Sequence, residues 1–434
     1  MQKRIAPSEA KAQELRAMLQ GQREAQRGEE LLSALVRLST ERVLQEALEE
    51  EQAQTLGRGR YERRNGEVGY RNGYEAGTVK TAEGVLRLKV PQIRGREEPA
   101  RSQLWSQGAS TSDVLKRLIV EMYVGGMSQR DIEYGLEKAL GQFVLSKSTV
   151  SDLTATLSQE YEAFRTRDLS GYEVAYLFID AVYEPLRRWG SKTGVLCVWA
   201  ICVDGRKVLL SLSTANRESH ESCLEVLRDL LTRGLQTPVT ITTDGAVGLT
   251  KAVDAIWPKS LRIRCWFHKM QNLQQKVPPQ AWPEFKALVV DMRDAPTVMA
   301  AEQRRQAIVT RYQRDFPEAC RCLLDDAEAS LTHLYVPQRH HQYVRTSTLA
   351  ERAFEEERRR TKVIPQLWEE GGLVKLVFAV LIRVSERWGK KCFSEFEQQQ
   401  IRSLRRRRKL DEPEVPSSPP TTEPQTRRSA ASAA

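Results

Sequence analysis

The chain has 434 residues and carries 67 basic against 57 acidic side chains, a formal net charge of +10. That length suits roughly three domains, and the positive balance suits a polyanionic partner without naming a reaction. No run nears the roughly 18 apolar residues of a membrane span, the opening MQKRIAPSEAKAQEL is no signal peptide, and the seven cysteines include no CxxC pair. A membrane protein and a disulfide scaffold are thereby set aside, and thiols inside apolar runs, such as Cys197 and Cys202, are expected as reduced core residues of a cytoplasmic protein.

Residues 1–50 are helix formers, and LLSALVRLSTERVLQEALEE holds an apolar stripe of helical period. Residues 51–105 form a basic segment rich in glycine and tyrosine, then a hairpin. In residues 51–77 arginines, Arg71 among them, alternate with Tyr61, Tyr70 and Tyr74. This pattern fits phosphate contacts and base packing, and it equally fits a plain surface loop. TVKTAEGVLRLKVPQI alternates as a short hairpin turning near Glu83-Gly84.

Residues 106–165 read as three short helices in a helix-turn-helix arrangement. TSDVLKRLIVEMYVGG closes at Gly125-Gly126, MSQRDIEYGLEKALG has Ser128 as its N-cap, and Ser146 or Ser148 caps the third. That third helix is the one offered to the major groove, with Ser146, Lys147, Ser148 and Thr149 at its start to reach phosphates or base edges. A helical bundle would be written with the same letters; the basic chain around it favours DNA.

Residues 170–268 read as strand, strand, strand, helix, strand, helix, strand, an α/β pattern of a mixed sheet with helices on its faces. VAYLFID ends at Asp180 and TPVTITTDG reaches Asp244; the two strands between these acids turn at Asp204-Gly205, and LRIRCWFH supplies the last strand. Carboxylates at strand ends stand at the open edge of such a sheet, where two of them suggest a metal site. Residues 269–344 read as a helical insertion with stops at prolines and at Asn272, residues 345–400 return to the core, and residues 401–434 hold the basic run LRRRRKL and a disordered tail.

The motifs GYRNGYEAGTVKT, EMYVGGMSQRDIE, LSKSTVSDL, YLFIDAVYEPLR, ITTDGAVGLTKAV, CWFHKMQNL and RTSTLAERAFEEERRRTKV follow one another in this order. In them the chain resembles the Mutator-like bacterial insertion-sequence transposases, often called the IS256 group. The resemblance implies a DNA transposase with an RNase H-like catalytic core, a helical insertion before the last acid, and an N-terminal region that binds the terminal inverted repeats of its element. It puts the catalytic acids on Asp180, Asp244 and Glu351, and the family's cysteine and histidine on Cys265 and His268. Where the family usually carries asparagine on either side of the glutamate, this chain has Thr348 and Phe354. Multimers that pair two element ends, a circular intermediate and a bacterial cytoplasmic location belong to the same implication.

Opening a phosphodiester calls for in-line attack and neutralised charge on both oxygens, which two divalent ions about 3.5–4 Å apart provide. Mg²⁺ prefers hard oxygen ligands, with Mn²⁺ able to substitute, so Asp180, Asp244 and Glu351 are the expected metal ligands. Separations of 64 and 107 residues carry no short-range signal, so the triad rests on fold logic and the resemblance. Glu355 and Glu356 compete with Glu351 on composition alone. For His268 three roles stand open: protonating a leaving 3′ oxygen, contacting the scissile phosphate, or capping the last strand. Cys265 is expected to pack; a zinc site completed by Cys320 and Cys322 is disfavoured by their C-x-C spacing. Arg352, Arg358, Arg359 and Arg360 are partly paired helix surface and partly candidates for DNA backbone. Expected partners are the element's double-stranded ends and target DNA, on which the protein acts as a homodimer or larger. A nuclease of the same fold without strand transfer and a non-catalytic DNA-binding repressor are the rival functions.

Overall fold

The computed structural model describes residues 5–21, 28–62, 69–95, 102–107, 111–127, 129–140, 147–185, 192–214, 219–361, 370–388 and 392–411. Two compact units divide the chain: Met1–Arg165 with Leu186–Gly190 and Glu355–Arg383, and Thr166–Pro185 with Ser191–Phe354 and Val384–Ala434.

The first unit opens with α1 (Pro7–Gly21) and α2 (Gly28–Leu56), followed by the antiparallel hairpin β1 (Tyr70–Thr81) and β2 (Gly84–Arg94). The turn lies where the sequence puts it, but β1 begins at Tyr70, inside the stretch read as loop. Every residue from Tyr70 to Ala76 except Arg71 is exposed, so no alternation marks the strand; its partner β2 carries it, burying Leu86, Leu88 and Val90 on one side. The outer edge of β2 is covered by α2 through side chains. The Gln45 amide accepts from Lys89 N–H and donates to Lys89 O, both at 2.8 Å, Glu41 accepts from Arg87 N–H at 2.7 Å, and Gln52 donates to Gln92 O at 3.0 Å. An edge that would otherwise template pairing with another chain is thus satisfied by one helix face. Next come α3 (Gln103–Gln107), α4 (Asp113–Val124), α5 (Gln129–Leu140) and α6 (Lys147–Thr166). Helix α4 closes at Gly125, as its letters predict, and is capped at its start by the Ser112 hydroxyl. Ser128 and Ser146 lie outside the described residues.

The second unit holds the sheet: β3 (Val174–Pro185), β4 (Lys192–Cys202), β5 (Lys207–Thr214), α7 (His220–Thr232), β6 (Thr240–Thr243), α8 (Val247–Ile256) and β7 (Leu261–Arg264). Spatial order is β5-β4-β3-β6-β7, with an antiparallel meander on one side of β3 and parallel β6 and β7 on the other. The β4–β5 turn uses Gly205 at φ 92°, at the predicted Asp204-Gly205. One face packs Leu177, Ile179, Leu196, Val198 and Ile241 against Cys223 and Leu227 of α7 and Leu249 and Val253 of α8. On the other, Tyr176 Oη meets His340 Nδ1 at 2.9 Å, Thr242 Oγ1 donates to Val344 O at 2.7 Å, and Trp199 lies against Trp388. Burial on both faces explains why VAYLFI and VLCVWAIC are continuous apolar runs rather than alternating ones, each enclosed aliphatic contributing roughly 1.5–3 kcal/mol.

Two boundaries differ from the sequence reading. Asp180 does not end its strand, because β3 runs on to Pro185 still paired with β4. The CWFH motif is not strand beyond Cys265, since helix α9 (Trp266–Gln274) begins there and runs through Asn272. The insertion continues as α10 (Trp282–Arg293), α11 (Val298–Tyr312), α12 (Pro317–Leu324), α13 (Ala327–Leu331) and α14 (His341–Val344), around a core of its own that includes Phe285, Val289, Ile308 and Leu323. Helices α15 (Thr348–Thr361), α16 (Glu370–Trp388) and α17 (Glu395–Arg407) follow. Among the described residues no helix is long and apolar enough to cross a membrane. The predicted disordered tail lies outside the described residues from 412 onward.

Candidate active site at the open end of the sheet

The parallel register decides which side chains meet. Ile179 pairs with Thr243, and Thr243 with Arg264; these are the last paired rows of β6 and β7. One residue further along, the three chains carry Asp180, Asp244 and Cys265. Cys265 N–H still donates to Thr243 O at 2.8 Å, which fixes the third chain in that row. Since Ile179 faces the core under α7 and α8, strand alternation turns Asp180 to the opposite face.

Both acids are buried, Asp180 at 4% and Asp244 at 8% exposure. Asp180 Oδ1 accepts Ala181 N–H at 2.9 Å, and Asp244 Oδ1 accepts Ala246 N–H at 3.0 Å at the start of α8. Burial pushes the Asp180 carboxyl above its ordinary value and neighbouring Asp244 adds to this, while His268 and hydrogen bonds from Ala181 and Ser347 act the other way. A buried carboxylate whose ionisation is opposed by burial and by a second acid beside it fits a hard divalent cation, whose charge would relieve both desolvation and repulsion.

Between Asp244 and α8 the chain turns through Gly245 at φ 85°, where an added Cβ would lie 2.5 Å from the Arg264 guanidinium carbon. Gly245→Ala is expected to lower stability by about 1–3 kcal/mol through backbone strain and overpacking. A urea midpoint equal to wild type would refute this account of the turn.

Glu351 stands in the first turn of α15. Its Oε1 accepts from Ser347 Oγ at 3.1 Å. Ser347, 1% exposed, also donates its N–H to Cys265 Sγ at 3.3 Å, with its hydroxyl 3.2 Å from the same sulfur. Ser347 also stands beside Asp180 and lowers that carboxyl's proton affinity, so it lies between the acid on the central strand and the one on the helix. Sequence reasoning missed this serine. The only signal for it was its place four residues before Glu351. The segment is pinned by Trp266 N–H donating to Arg345 O at 2.9 Å.

His268 lies one turn into α9, partly buried, with a buried Nδ1 that has no hydrogen-bond partner. Cys265 Sγ, a His268 ring nitrogen and a Glu351 carboxylate oxygen all lie within 4.8 Å of one another, the one such group of possible metal ligands among the described residues. Cys320 and Cys322 are elsewhere, buried in the insertion core.

The remaining predicted residues have varied surroundings. The Arg71 guanidinium donates to Arg58 O at 2.9 Å and Gly59 O at 3.1 Å, and burial, then Arg58, lowers its proton affinity. Lys147 and Ser148 begin α6, and their side chains lie outside the described residues. Arg352 and Arg358 are exposed, whereas Arg359 and Arg360 pair with Glu356. Of the two departures around Glu351, Thr348 meets Thr346 Oγ1 at 2.6 Å, and Phe354 is buried at 3% exposure. Trp199 and Trp266 are core residues.

An open mixed sheet with a buried acid pair just past its last parallel row, and a Cys–His–Glu ligand group beside it, defines an α/β enzyme fold able to hold a divalent cation. The sequence pattern described as "Transposase, Mutator family" matches residues 9–391. The chain belongs to that family. It is 31% identical over 353 residues to the transposase for insertion sequence element IS406 of Burkholderia multivorans, covering 80% of this chain and 89% of the relative. To the transposase for element ISRM5 of Rhizobium meliloti it is 29% identical over 348 residues, 80% of this chain and 86% of the relative. To the transposase for element IS6120 of Mycolicibacterium smegmatis it is 32% identical over 268 residues, 62% of this chain and 83% of the relative. Family identity makes DNA the substrate.

Proposed function

We propose that this chain is a DDE-type transposase that cleaves DNA at the ends of its insertion sequence and joins the freed 3′-OH to target DNA. The observation that carries this reading is the parallel register ending at Ile179 and Thr243, which leaves Asp180 and Asp244 as neighbours, with Glu351 tied to Asp180 through Ser347. In this reading the sheet is an RNase H-like core and Asp180, Asp244 and Glu351 hold Mg²⁺ or Mn²⁺. When bound, the ions would supply charge neutralisation on the scissile phosphate and an activated water.

The protein's own part is positioning. Asp180 is fixed on the central strand, Asp244 by the α8 start, and Glu351 by Ser347. Attack on the phosphorus breaks the bond to the 3′ oxygen, which leaves as a hydroxyl; that 3′-OH then displaces a second 3′ oxygen from target DNA. His268 is suited to deliver the proton to the leaving oxygen. Helix α6, with Lys147 and Ser148 at its start, is the reading element of a helix-turn-helix region for the terminal repeats, and the exposed Arg352 and Arg358 meet DNA backbone. Pairing two ends requires at least a homodimer on DNA.

The test is 3′-end nicking and strand transfer with Mg²⁺ on DNA carrying the element's own ends, comparing wild type with Asp180→Ala. Loss of both reactions with end binding retained is expected. Undiminished activity in the variant would overturn the site, and wild-type binding without cleavage would favour a repressor.

A further inference from the structure

We propose that Cys265, His268 and Glu351 form a separate site for a borderline-soft divalent ion, zinc foremost, and that filling it withholds Glu351 from the Asp180–Asp244 pair. The second half rests on the functional reading above; the first does not.

The donor set is one sulfur, one imidazole nitrogen and one carboxylate oxygen, a combination zinc accepts and Mg²⁺ does not. The three donor atoms lie within 4.8 Å of one another. Tetrahedral coordination with bonds of about 2.0–2.3 Å needs ligand separations of about 3.5 Å, which side-chain rotation alone supplies. Two of the ligands share a short rigid stretch: Cys265 directly follows β7, and His268 stands three residues on, in the first turn of α9. Cys265 and the adjoining Trp266 are 0% and 1% exposed, and Trp266 Nε1 donates to Ser330 O at 2.8 Å. This stretch is therefore held by the core.

Two further observations point to a ligand. His268 Nδ1 is buried without a hydrogen-bond partner, a state with a cost that a coordinate bond, or reorientation toward one, removes. Cys265 Sγ receives the Ser347 N–H at 3.3 Å and lies 3.2 Å from its hydroxyl. The Ser347 N–H aimed at the sulfur orients it, as outer-shell partners do in metal sites. The same Ser347 hydroxyl holds Glu351 Oε1, so one residue sets both ligands. Glu351 is then common to two donor sets of different hardness, and its carboxylate, turned toward the sulfur and the imidazole, is drawn away from the acid pair.

Cobalt(II) is the probe, because thiolate ligation gives it a sulfur-to-metal charge-transfer band and tetrahedral geometry gives intense visible bands. The full chain carries Cys392→Ser, removing the one exposed cysteine; the other six are buried. One equivalent of Co²⁺ should bind with both spectral signatures. Cys265→Ser should abolish the charge-transfer band and weaken binding by at least ~100-fold, beyond the range for loss of an outer-shell partner. His268→Gln and Glu351→Gln should keep the band and weaken binding ~10-fold or more, which decides the matter should Cys265→Ser not fold. Asp180→Asn should keep the charge-transfer band and weaken Co²⁺ binding far less than Cys265→Ser does, since Asp180 faces His268 but lies outside the donor set. No thiolate band, an unchanged band in Cys265→Ser, or equal losses in Asp180→Asn would each overturn the site. In a second arm, Zn²⁺ added to Mg²⁺-supported nicking should inhibit wild type; full activity with the site spectroscopically filled would overturn the competition. Absence of nicking under all conditions would count against the transposase reading and leave the cobalt result standing.

Discussion

Asp180→Asn should make the cation-free protein more stable at pH 7 and remove its stabilisation by Mg²⁺. Asparagine keeps the shape and its amide oxygen still accepts the Ala181 N–H, but the buried charge beside Asp244 is gone. In the wild type burial, and then Asp244, raise the folded-state proton affinity of Asp180 above its unfolded value. The folded protein therefore holds a proton that the unfolded chain releases. The stability this brings is full below the unfolded carboxylate pKa and is lost as pH rises through the elevated folded one. Urea midpoints measured from acid to neutral pH should fall over that window in wild type and fall less in the variant.

Mg²⁺ reverses the order of the two proteins. A ligand that binds only the folded state stabilises it by about 2.7 kcal/mol at one hundred times its dissociation constant. Wild type should show that gain and Asp180→Asn should not, with nicking reduced ~10³-fold or more, the equivalent of a few kcal/mol of charge stabilisation. A wild-type midpoint indifferent to Mg²⁺, or a variant less stable without it, would count against the acid pair as a cation site.

Arg405→Ala should cost about 2–4 kcal/mol of stability, although it lies within the basic run LRRRRKL. Arg405 is 4% exposed; it donates to Val174 O at 3.2 Å, Thr237 O at 2.8 Å and Asp411 Oδ1 at 2.7 Å. Removing it strands two backbone carbonyls at the entry to β3 and just before β6. Its neighbours Arg406 and Arg407 are exposed, so replacing them should change stability by less than about 1 kcal/mol. Chemical denaturation of the single variants separates the two cases, and equal midpoints for Arg405→Ala and Arg406→Ala would refute the distinction.

LRRRRKL shows where reading by composition fails. Consecutive arginines on a helix point about 100° apart, so one run can hold both a core clamp and solvated charges. The same limit applied to Glu351: Glu355 and Glu356 look alike in the sequence, yet Glu351 alone stands four residues from Ser347, while Glu356 is taken up by Arg359 and Arg360. In the N-terminal unit the first part of β1, Tyr70–Gly77, escaped notice because its exposed letters show no period, and the buried Gln45 and Gln52 of α2 had partners, the backbone of β2, invisible from their own helix.

What the sequence determined by itself was everything set by neighbours along the chain. The strand and helix order from Tyr172 to Arg264, the Asp204-Gly205 turn, the glycine close of α4 and the helical insertion all follow from periodicity and local backbone preference, which act over a few residues. Two aspartates conspicuous beside apolar runs belong to this class, as does membership of the family, carried by motifs in order. Tertiary structure alone decided that Asp180 sits within its strand, that β6 stops one row short of it, that CWFH starts a helix, and that Ser347 gathers Asp180, Cys265 and Glu351. Those facts depend on register and on the meeting of segments 64 to 167 residues apart, where the chain between sets no geometry and only the packing of the sheet and its helices does.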